Sequence, residues 1–200
     1  ARPGALSATD LAEAVNGEVG RYSPYAVYLA GGDPGRLAPL RDGQALVQDE
    51  GSQLVARALT LAPCIGTDTG RWLDLCAGPG GKTALLGAVA AQQGAALTAV
   101  ERNPRRADMV EHNSRGLTVE VLRADGREAP LPAAGFDRVL VDAPCTGLGA
   151  LRRRPEARWR RTPADVAPLA KLQRELLASA IRLTRPGRVA SRSKPFAPAA

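Results

Sequence analysis

Residues 74–83, which read Asp-Leu-Cys-Ala-Gly-Pro-Gly-Gly-Lys-Thr, decide the fold of this chain. They follow Arg71, Trp72 and Leu73 and open into the apolar run 84–91, so the pattern predicts a strand, a glycine turn and a helix. Glycines let a ligand approach the backbone, where free amides and the positive end of a helix face it. The stretch therefore predicts a ligand-binding turn at the end of a strand.

Two rival glycine motifs fail on spacing. A phosphate-binding P-loop would need glycine where the chain has Cys76, and a dinucleotide loop would need a third glycine where it has Thr83. The pattern that fits is Asp-x-x-x-Gly-x-Gly, typical of sites for S-adenosylmethionine (SAM). Glu101 ends the next apolar run, about 20 residues on, where an acid suits ribose hydroxyls. Another nucleotide, or a tight turn without a ligand, stays open as an alternative.

A carboxylate and a thiol follow a second apolar strand. Residues 137–141 lead into Asp142-Ala143-Pro144-Cys145, at the carboxyl end of the strand, and ligands bind at that edge of an open α/β sheet. The pair is suited to nucleophilic and acid–base chemistry, which makes Asp142 and Cys145 candidate catalytic residues. The alternative is that Cys145 is a small buried residue without a chemical role.

Strands and helices alternate along the chain. Strands are predicted over residues 71–76, 95–101, 119–124 and 137–142, with a poor one over 188–191. Helices are predicted over 6–15 and 50–61, after Asn103-Pro104, and from Thr162-Pro163 through Arg185. Their predicted buried faces are Leu54, Val55, Ala58 and Leu59 in one helix, and Leu169, Leu172, Leu176, Leu177, Ala180 and Ile181 in the last. This order predicts an α/β, doubly wound, mostly parallel sheet.

Composition describes one basic domain. The 200 residues carry a net charge of +7 and are 44% hydrophobic, which favours a polyanionic partner. The sequence has no apolar run of about 18 residues and no apolar leader, so neither a membrane span nor a signal peptide is expected. Three cysteines and one histidine, His112, indicate a reduced, cytoplasmic protein without a metal site. His112 is expected on the surface, and the protein is expected to be a monomer.

A basic run follows the Asp-Ala-Pro-Cys motif. Guanidinium groups bind phosphates and stack on bases, and an indole offers a stacking surface, so the run predicts contact with RNA. The alternative is a solvated charged loop. The residues concerned are Arg152, Arg153, Arg154, Arg158, Trp159, Arg160 and Arg161.

Taken together, these motifs resemble the Sun (Fmu) family of SAM-dependent RNA cytosine-5 methyltransferases, especially its bacterial ribosomal RNA members. The matching stretches are residues 47–53, 73–83, 100–103, 123–126, 136–149 and 152–161. The resemblance implies a Rossmann-like catalytic domain, SAM as cofactor and RNA as substrate, in particular 16S ribosomal RNA. It further implies that a cysteine adds to C6 of a cytosine taken out of the RNA stack.

The resemblance also implies roles for single residues. The cofactor cradle would comprise Cys76, Ala77, Gly78, Pro79, Gly80, Gly81 and Lys82. Glu101 would bind the ribose, Arg106 would flank the cofactor and Asp125 would lie near the adenine edge. Asp142 would lie between cofactor and cytosine and stabilise the protonated N3, and Cys145 is the cysteine of the family's Pro-Cys motif.

The chain departs from the family after Pro186-Gly187. There the family places a Thr-Cys motif on a later strand, whose cysteine attacks the base while the Pro-Cys cysteine helps to release the product. Residues 188–200 contain no cysteine and are rich in Arg, Ser, Pro and Ala. We expect a linker or subdomain remnant over 1–45, a catalytic domain over 46–187 whose sheet lacks its last strands, and a disordered or aberrant tail over 188–200. The alternative function is a SAM- and RNA-binding fragment with impaired catalysis.

Overall fold

A computed structural model of the chain describes residues 1–151, 155–160 and 162–192. The helices are α1 (Ala8–Val15), α2 (Ala38–Arg41), α3 (Glu50–Leu61), α4 (Gly81–Gln92), α5 (Pro104–Asn113), α6 (Ala157–Arg160) and α7 (Val166–Leu183). The strands are β1 (Glu18–Val19), β2 (Val27–Tyr28), β3 (Arg71–Asp74), β4 (Ala96–Val100), β5 (Val119–Leu122), β6 (Phe136–Val141) and β7 (Thr184–Arg192). Short 3-10 helices occupy Pro34–Arg36, Leu148–Ala150 and Pro163–Asp165.

Five of these strands form one parallel sheet in the order β5-β4-β3-β6-β7. The chain moves outward from β3 through β4 to β5 and then crosses to β6 on the other side of β3, so the strand order reverses between β3 and β6. Helices α3 and α4 pack on one face through residues such as Leu59 and Leu86, and α7 covers the other through Leu176 and Leu183. The predicted doubly wound α/β fold is confirmed, and its carboxyl edge at β3 and β6 is where ligands bind in such sheets.

Helix α5 illustrates how local signals set the boundaries. The Asn103 side chain accepts a hydrogen bond from the Arg106 amide at 3.2 Å, and Pro104 occupies the first helical position. The helix ends at Asn113, before Gly116, which has a φ of +76°. The predicted amino-terminal cap of this helix is therefore confirmed.

Strand β7 corrects the prediction for the end of the last helix and the beginning of the tail. Helix α7 ends at Leu183 instead of continuing through Arg185, and residues 184–192 pair in parallel with β6. The poor strand predicted over 188–191 lies within β7, but the pattern missed its beginning because the strand is polar and is held by tertiary contacts: Arg185 and Arg188 both pair with the buried carboxylate of Asp137. Residues 188–192 thus belong to the sheet, and residues 193–200 lie outside the described ranges.

Two predicted helix faces are partly wrong. In α3 Leu59 is buried, but Ala58 is exposed, and Ile181 of α7 is 63% exposed. The packed face of each helix instead contains a buried glutamine, Gln53 in α3 and Gln173 in α7. Each can be buried because a hydrogen-bond partner offsets the free-energy cost of removing its amide from water. Gln53 of α3 accepts a hydrogen bond from the Ser23 hydroxyl at 2.7 Å.

Surface features complete the description of the fold. His112 is exposed, as predicted, with Arg115 Nη2 at 3.2 Å from its Nε2. None of the helices within the described ranges has the length and apolar character that crossing a membrane requires. The predicted absence of a metal and the predicted monomer stay predictions.

Candidate active site at the carboxyl edge of the sheet

The glycine turn between β3 and α4 is closed on itself and packed tightly. Thr83 Oγ1 donates to Asp74 Oδ2 at 2.8 Å and lies 3.3 Å from the Ala77 carbonyl oxygen, which ties the two ends of the turn together. Gly80 has a φ of +107°, and a Cβ there would come within 2.9 Å of the Val110 Cα in α5. The turn needs this glycine both for its backbone conformation and for close packing.

Glu101 is fixed against this turn from the end of β4. Its Oε2 accepts from the Gly78 amide at 3.0 Å, and its Oε1 accepts from the Asn103 amide at 2.8 Å. Arg106 Nη2 donates to the Gly78 carbonyl, and its Nε lies 3.8 Å from Glu101 Oε2. The structure therefore brings the predicted ribose acceptor and the predicted flanking arginine to the same glycine.

Asp125 is held by two arginines on the other side of the same cleft. Arg127 binds it bidentately, with Nε–Oδ1 at 3.0 Å and Nη2–Oδ2 at 2.8 Å, and Arg102 Nη1 lies 3.7 Å from Oδ2. The hydrogen bonds from Arg127 lower the pKa of Asp125 to about 2. The carboxylate is therefore ionised and oriented at neutral pH, as an acceptor for an amino group needs to be.

These groups line one cleft of about 520 Å³, within the usual range for a cofactor site. The predicted residues that line it are Cys76, Gly78, Pro79, Glu101, Arg106, Asp125 and Asp142. Apolar side chains of α7 form its other wall, namely Leu169, Leu172 and Leu176. Ala77, Gly80, Gly81 and Lys82, which were also predicted to bind the cofactor, are not among the lining residues.

Lys82 points at the Asp142-Ala143-Pro144-Cys145 stretch. Its Nζ lies 2.7 Å from Asp142 Oδ2 and 3.3 Å from the Ser52 hydroxyl at the start of α3. Both partners of the ion pair are largely shielded, with side-chain exposures of 14% for Lys82 and 20% for Asp142. An ammonium held on this carboxylate fixes its orientation where β6 ends.

A buried carboxyl, Asp74, lies beneath this pair. It is 1% exposed, and burial raises its pKa to about 6 despite the hydrogen bond from Thr83, while the charge of Asp142 adds to the rise. Burial likewise raises the pKa of the Cys76 thiol well above its usual range. Cys76 is therefore a protonated thiol at neutral pH and a poor nucleophile.

Cys145 follows the cleft wall without being part of it. Asp142, Ala143 and Pro144 line the cleft, and the Cys145 Sγ next to them accepts a hydrogen bond from the Gly147 amide at 3.3 Å. The thiol is partly exposed. The sequence order Asp-Ala-Pro-Cys thus brings one carboxylate into the cleft and leaves the thiol at its rim.

The predicted RNA-binding run is described in part. Arg158 lies over the Trp159 ring, with its Cζ 5.6 Å from the ring centroid, and the indole is 76% exposed. Arg160 is also exposed. Arg152, Arg153, Arg154 and Arg161 lie outside the described residues.

Four residues at the site were not assigned a role from the sequence. Asp74 begins the glycine motif and Ser52 lies in the matching stretch 47–53, so both carried a positional signal. Arg127 and Gln173 carried none, because their contacts join residues far apart in the chain: Arg127 reaches Glu175 of α7, and Gln173 reaches the Pro144 carbonyl.

Comparison with solved structures supports the fold. The crystal structure of PH0851 aligns with a TM-score of 0.79 and 30% identity over 90% of this chain and 41% of its own length. The structure of NSun6 from Pyrococcus horikoshii with SFG, a SAM analogue, aligns with a TM-score of 0.69 and 26% identity over 84% of this chain and 44% of its own.

Sequence relatives agree with these structures. A protein of Mycobacterium tuberculosis (strain H37Rv) described as a methyltransferase is 76% identical over 189 residues, which are 94% of this chain and 41% of that protein. Ribosomal RNA small subunit methyltransferase B of Sodalis glossinidius is 40% identical over 157 residues, 76% of this chain and 35% of its own. The chain thus spans about two fifths of the length of these relatives.

A family model identifies the chain. The model described as 16S rRNA methyltransferase RsmB/F matches residues 58–190, which include the glycine turn, the whole cleft and the Asp-Ala-Pro-Cys motif. Family and structural neighbours together indicate SAM as the cofactor. The chain belongs to the RsmB/F (Sun) family of ribosomal RNA methyltransferases.

Proposed function

We propose that this protein transfers a methyl group from SAM to C5 of a cytosine in 16S ribosomal RNA through a covalent cysteine–C6 adduct. One observation carries the proposal: the strand that ends in Asp142-Ala143-Pro144-Cys145 borders the cleft that holds Glu101 and Asp125. A cleft for SAM and a thiol for a pyrimidine therefore adjoin at one edge of the sheet. Cytoplasmic location is part of the same proposal.

The cleft fits SAM on its own geometry. Glu101 offers a buried, oriented carboxylate to the ribose, and Asp125 offers an ionised one to the adenine amino group. A Cβ at Gly78 would lie 2.4 Å from Glu101 Oε2, so only glycine allows this close approach. When bound, SAM supplies an electrophilic methyl group on a sulfonium.

Asp142 and Cys145 divide the remaining chemistry. The Cys145 thiolate forms a bond to C6 of the extruded cytosine, while Asp142, oriented by Lys82, stabilises the positive charge of a protonated N3. The electron pair that reaches C5 forms the bond to the methyl carbon, while the pair of the broken sulfur–methyl bond stays on sulfur, so that the leaving group is a neutral thioether. Loss of the C5 proton then returns its electron pair to the ring and breaks the S–C6 bond, which restores the thiolate.

Cys145 is the best placed of the three cysteines. The raised pKa of Cys76 keeps that thiol protonated. Cys64 follows α3 at the opposite edge of the sheet, where Arg138 donates to the Ala62 carbonyl. The second candidate function is binding of SAM and RNA with impaired catalysis, in which Cys145 is not the attacking nucleophile.

The test is transfer of radiolabelled methyl from SAM to undermethylated 16S ribosomal RNA, followed by mapping of the product base. The proposal expects 5-methylcytosine with wild-type protein, none with Cys145→Ala, and normal SAM binding in both. Label at another base or atom would contradict the proposed chemistry. SAM and RNA binding without any label would favour the second candidate.

RNA contact is proposed for the residues around Trp159. The stacked pair Arg158–Trp159 offers an exposed aromatic surface and a guanidinium, the two groups that bind single-stranded RNA. Arg152, Arg153, Arg154 and Arg161 extend the proposed surface in sequence.

A further inference from the structure

Gln173 is a buried polar residue on the apolar face of α7. It is 3% exposed, and its helical neighbours Leu169, Leu172 and Leu176 line the cleft. An amide in such a position costs stability unless both of its ends are hydrogen-bonded. The Gln173 Nε2 donates to the Pro144 carbonyl at 2.8 Å, and its Oε1 faces Arg192 Nη1 at 3.4 Å.

The segment that Gln173 contacts has little other regular support. Residues 142–147 form neither a helix nor a strand, so a ladder of backbone hydrogen bonds does not hold them. Pro144 has no N–H to donate, which leaves its carbonyl as its one backbone hydrogen-bonding group. The Gln173 amide therefore attaches the residue before Cys145 to a helix of 18 residues.

We infer that Gln173 is a positioning residue, which holds Pro144 and thereby places the Cys145 thiol at the rim of the SAM cleft. The inference rests on the proposed function for its kinetic consequence, and on geometry alone for its effect on the loop. A hydrogen bond to the preceding carbonyl restricts the peptide plane from which the Cys145 side chain departs. Misplacing a reacting group by about 1 Å costs on the order of 100-fold in rate.

The same helix supplies a matched control. Glu175 accepts from Arg127 Nη1 at 3.0 Å, and Arg127 holds Asp125. Gln173 and Glu175 thus stand on one helix, but the first reaches the thiol loop and the second reaches the cofactor carboxylate. Substitutions at the two positions should separate placement of Cys145 from binding of SAM.

The experiment compares Gln173→Met, which keeps the side-chain length but removes the donor, with Glu175→Gln. Amide hydrogen exchange at Gly147, whose N–H donates to the Cys145 Sγ, should accelerate about 10-fold in Gln173→Met and stay unchanged in Glu175→Gln. The kcat for methyl transfer should fall about 10- to 100-fold in Gln173→Met with an unchanged KM for SAM. Glu175→Gln should instead raise the KM for SAM.

Wild-type exchange rates in the 143–147 loop of Gln173→Met would overturn the inference, as would a change in KM alone. If Gln173→Met does not fold, Gln173→Glu keeps the polar contact towards Arg192 and removes the donor, and the same exchange criterion applies to it. Hydrogen exchange needs no RNA. A wild-type protein that methylates no RNA would therefore contradict the proposed function, while the exchange data still decide the role of Gln173.

Discussion

Two buried aspartates at opposite edges of the sheet have pKa values that are shifted in opposite directions. Asp137, at the amino end of β6, is fully buried and accepts from the Thr69 amide and hydroxyl at 3.0 and 2.8 Å, with Arg188 Nε at 2.9 Å. Burial alone would raise its pKa, but these hydrogen bonds outweigh burial and lower it. Asp74, at the carboxyl end of β3, has the Thr83 hydroxyl and a pKa raised to about 6.

This difference indicates that charged groups at the amino edge of the sheet stabilise the fold, whereas those at the carboxyl edge form the candidate site. At the amino edge Asp68 and Asp137 both pair with arginines, so the groups there hold β7 and the loop before β3 in place. At the carboxyl edge carboxylates crowd one cleft, and burial together with the charge of Asp142 raises the pKa of Asp74. Such incompletely compensated groups are characteristic of sites that bind a ligand. The following predictions test this division, from the largest expected effect to the smallest.

Asp142→Asn removes the carboxylate at the carboxyl edge. We expect kcat for methyl transfer to fall about 10²- to 10⁴-fold, because the substituted side chain no longer stabilises charge at N3. The melting temperature should fall less than in Asp137→Ala, because the Asp142 side chain is 20% exposed and its neutralisation also removes the charge that adds to the raised pKa of Asp74. Steady-state kinetics measures kcat, and calorimetry on the same preparation measures the melting temperature. A large drop in melting temperature with an unchanged kcat would contradict a functional role for Asp142.

Asp137→Ala removes the carboxylate at the amino edge. Arg185 and Arg188 lose their shared partner, so the free energy of unfolding should fall by about 3–5 kcal/mol. Urea denaturation measures the change. Glu111→Ala, which breaks an exposed ion pair with Arg123, is the control and should shift the midpoint little. Equal effects of the two substitutions would show that Asp137 does not anchor β7.

Asp74→Asn should stabilise the protein above pH 6. The folded-state pKa of about 6 exceeds the ordinary value of 3.8, so the folded state binds more protons between these values and stability falls as pH rises through that window. Above pH 6 the raised pKa of Asp74 lowers the free energy of unfolding by about 3 kcal/mol. The substitution removes this penalty. Unfolding curves from pH 4 to 8 should be flatter for the variant; identical pH profiles would show that Asp74 titrates normally.

Trp159→Ala should weaken RNA binding by about 1–3 kcal/mol through loss of base stacking. SAM affinity should not change, because Trp159 is not among the residues that line the cleft. Tyr22 is the matched control: it is 63% exposed and carries Arg21 with its Cζ 5.5 Å from the ring centroid. Filter binding at fixed salt compares Trp159→Ala with Tyr22→Ala. An equal loss of RNA affinity in both variants would contradict a specific role of Trp159 in RNA binding.

Much of this architecture follows from local pattern. The glycine turn, Glu101 after β4 and the Asn103 cap were predictable because each depends on residues close together in the sequence. Strand β7 was predicted only in part, as a poor strand over 188–191, because its polar residues pair with β6 and its arginines reach Asp137 from about 50 positions away. Gln173 also escaped prediction, since a glutamine within a leucine stripe reveals its partner at Pro144 only after folding.

The most direct test of the account is covalent trapping on RNA that contains 5-fluorocytidine. Fluorine takes the place of the C5 proton and cannot leave as a cation, so the elimination step is blocked and a thiolate enzyme stays attached to C6 after methyl transfer. We expect an RNA–protein band on a denaturing gel with wild type and with Cys76→Ala, and none with Cys145→Ala. A band that survives in Cys145→Ala, or its absence in wild-type protein that binds both SAM and RNA, would contradict Cys145 as the nucleophile.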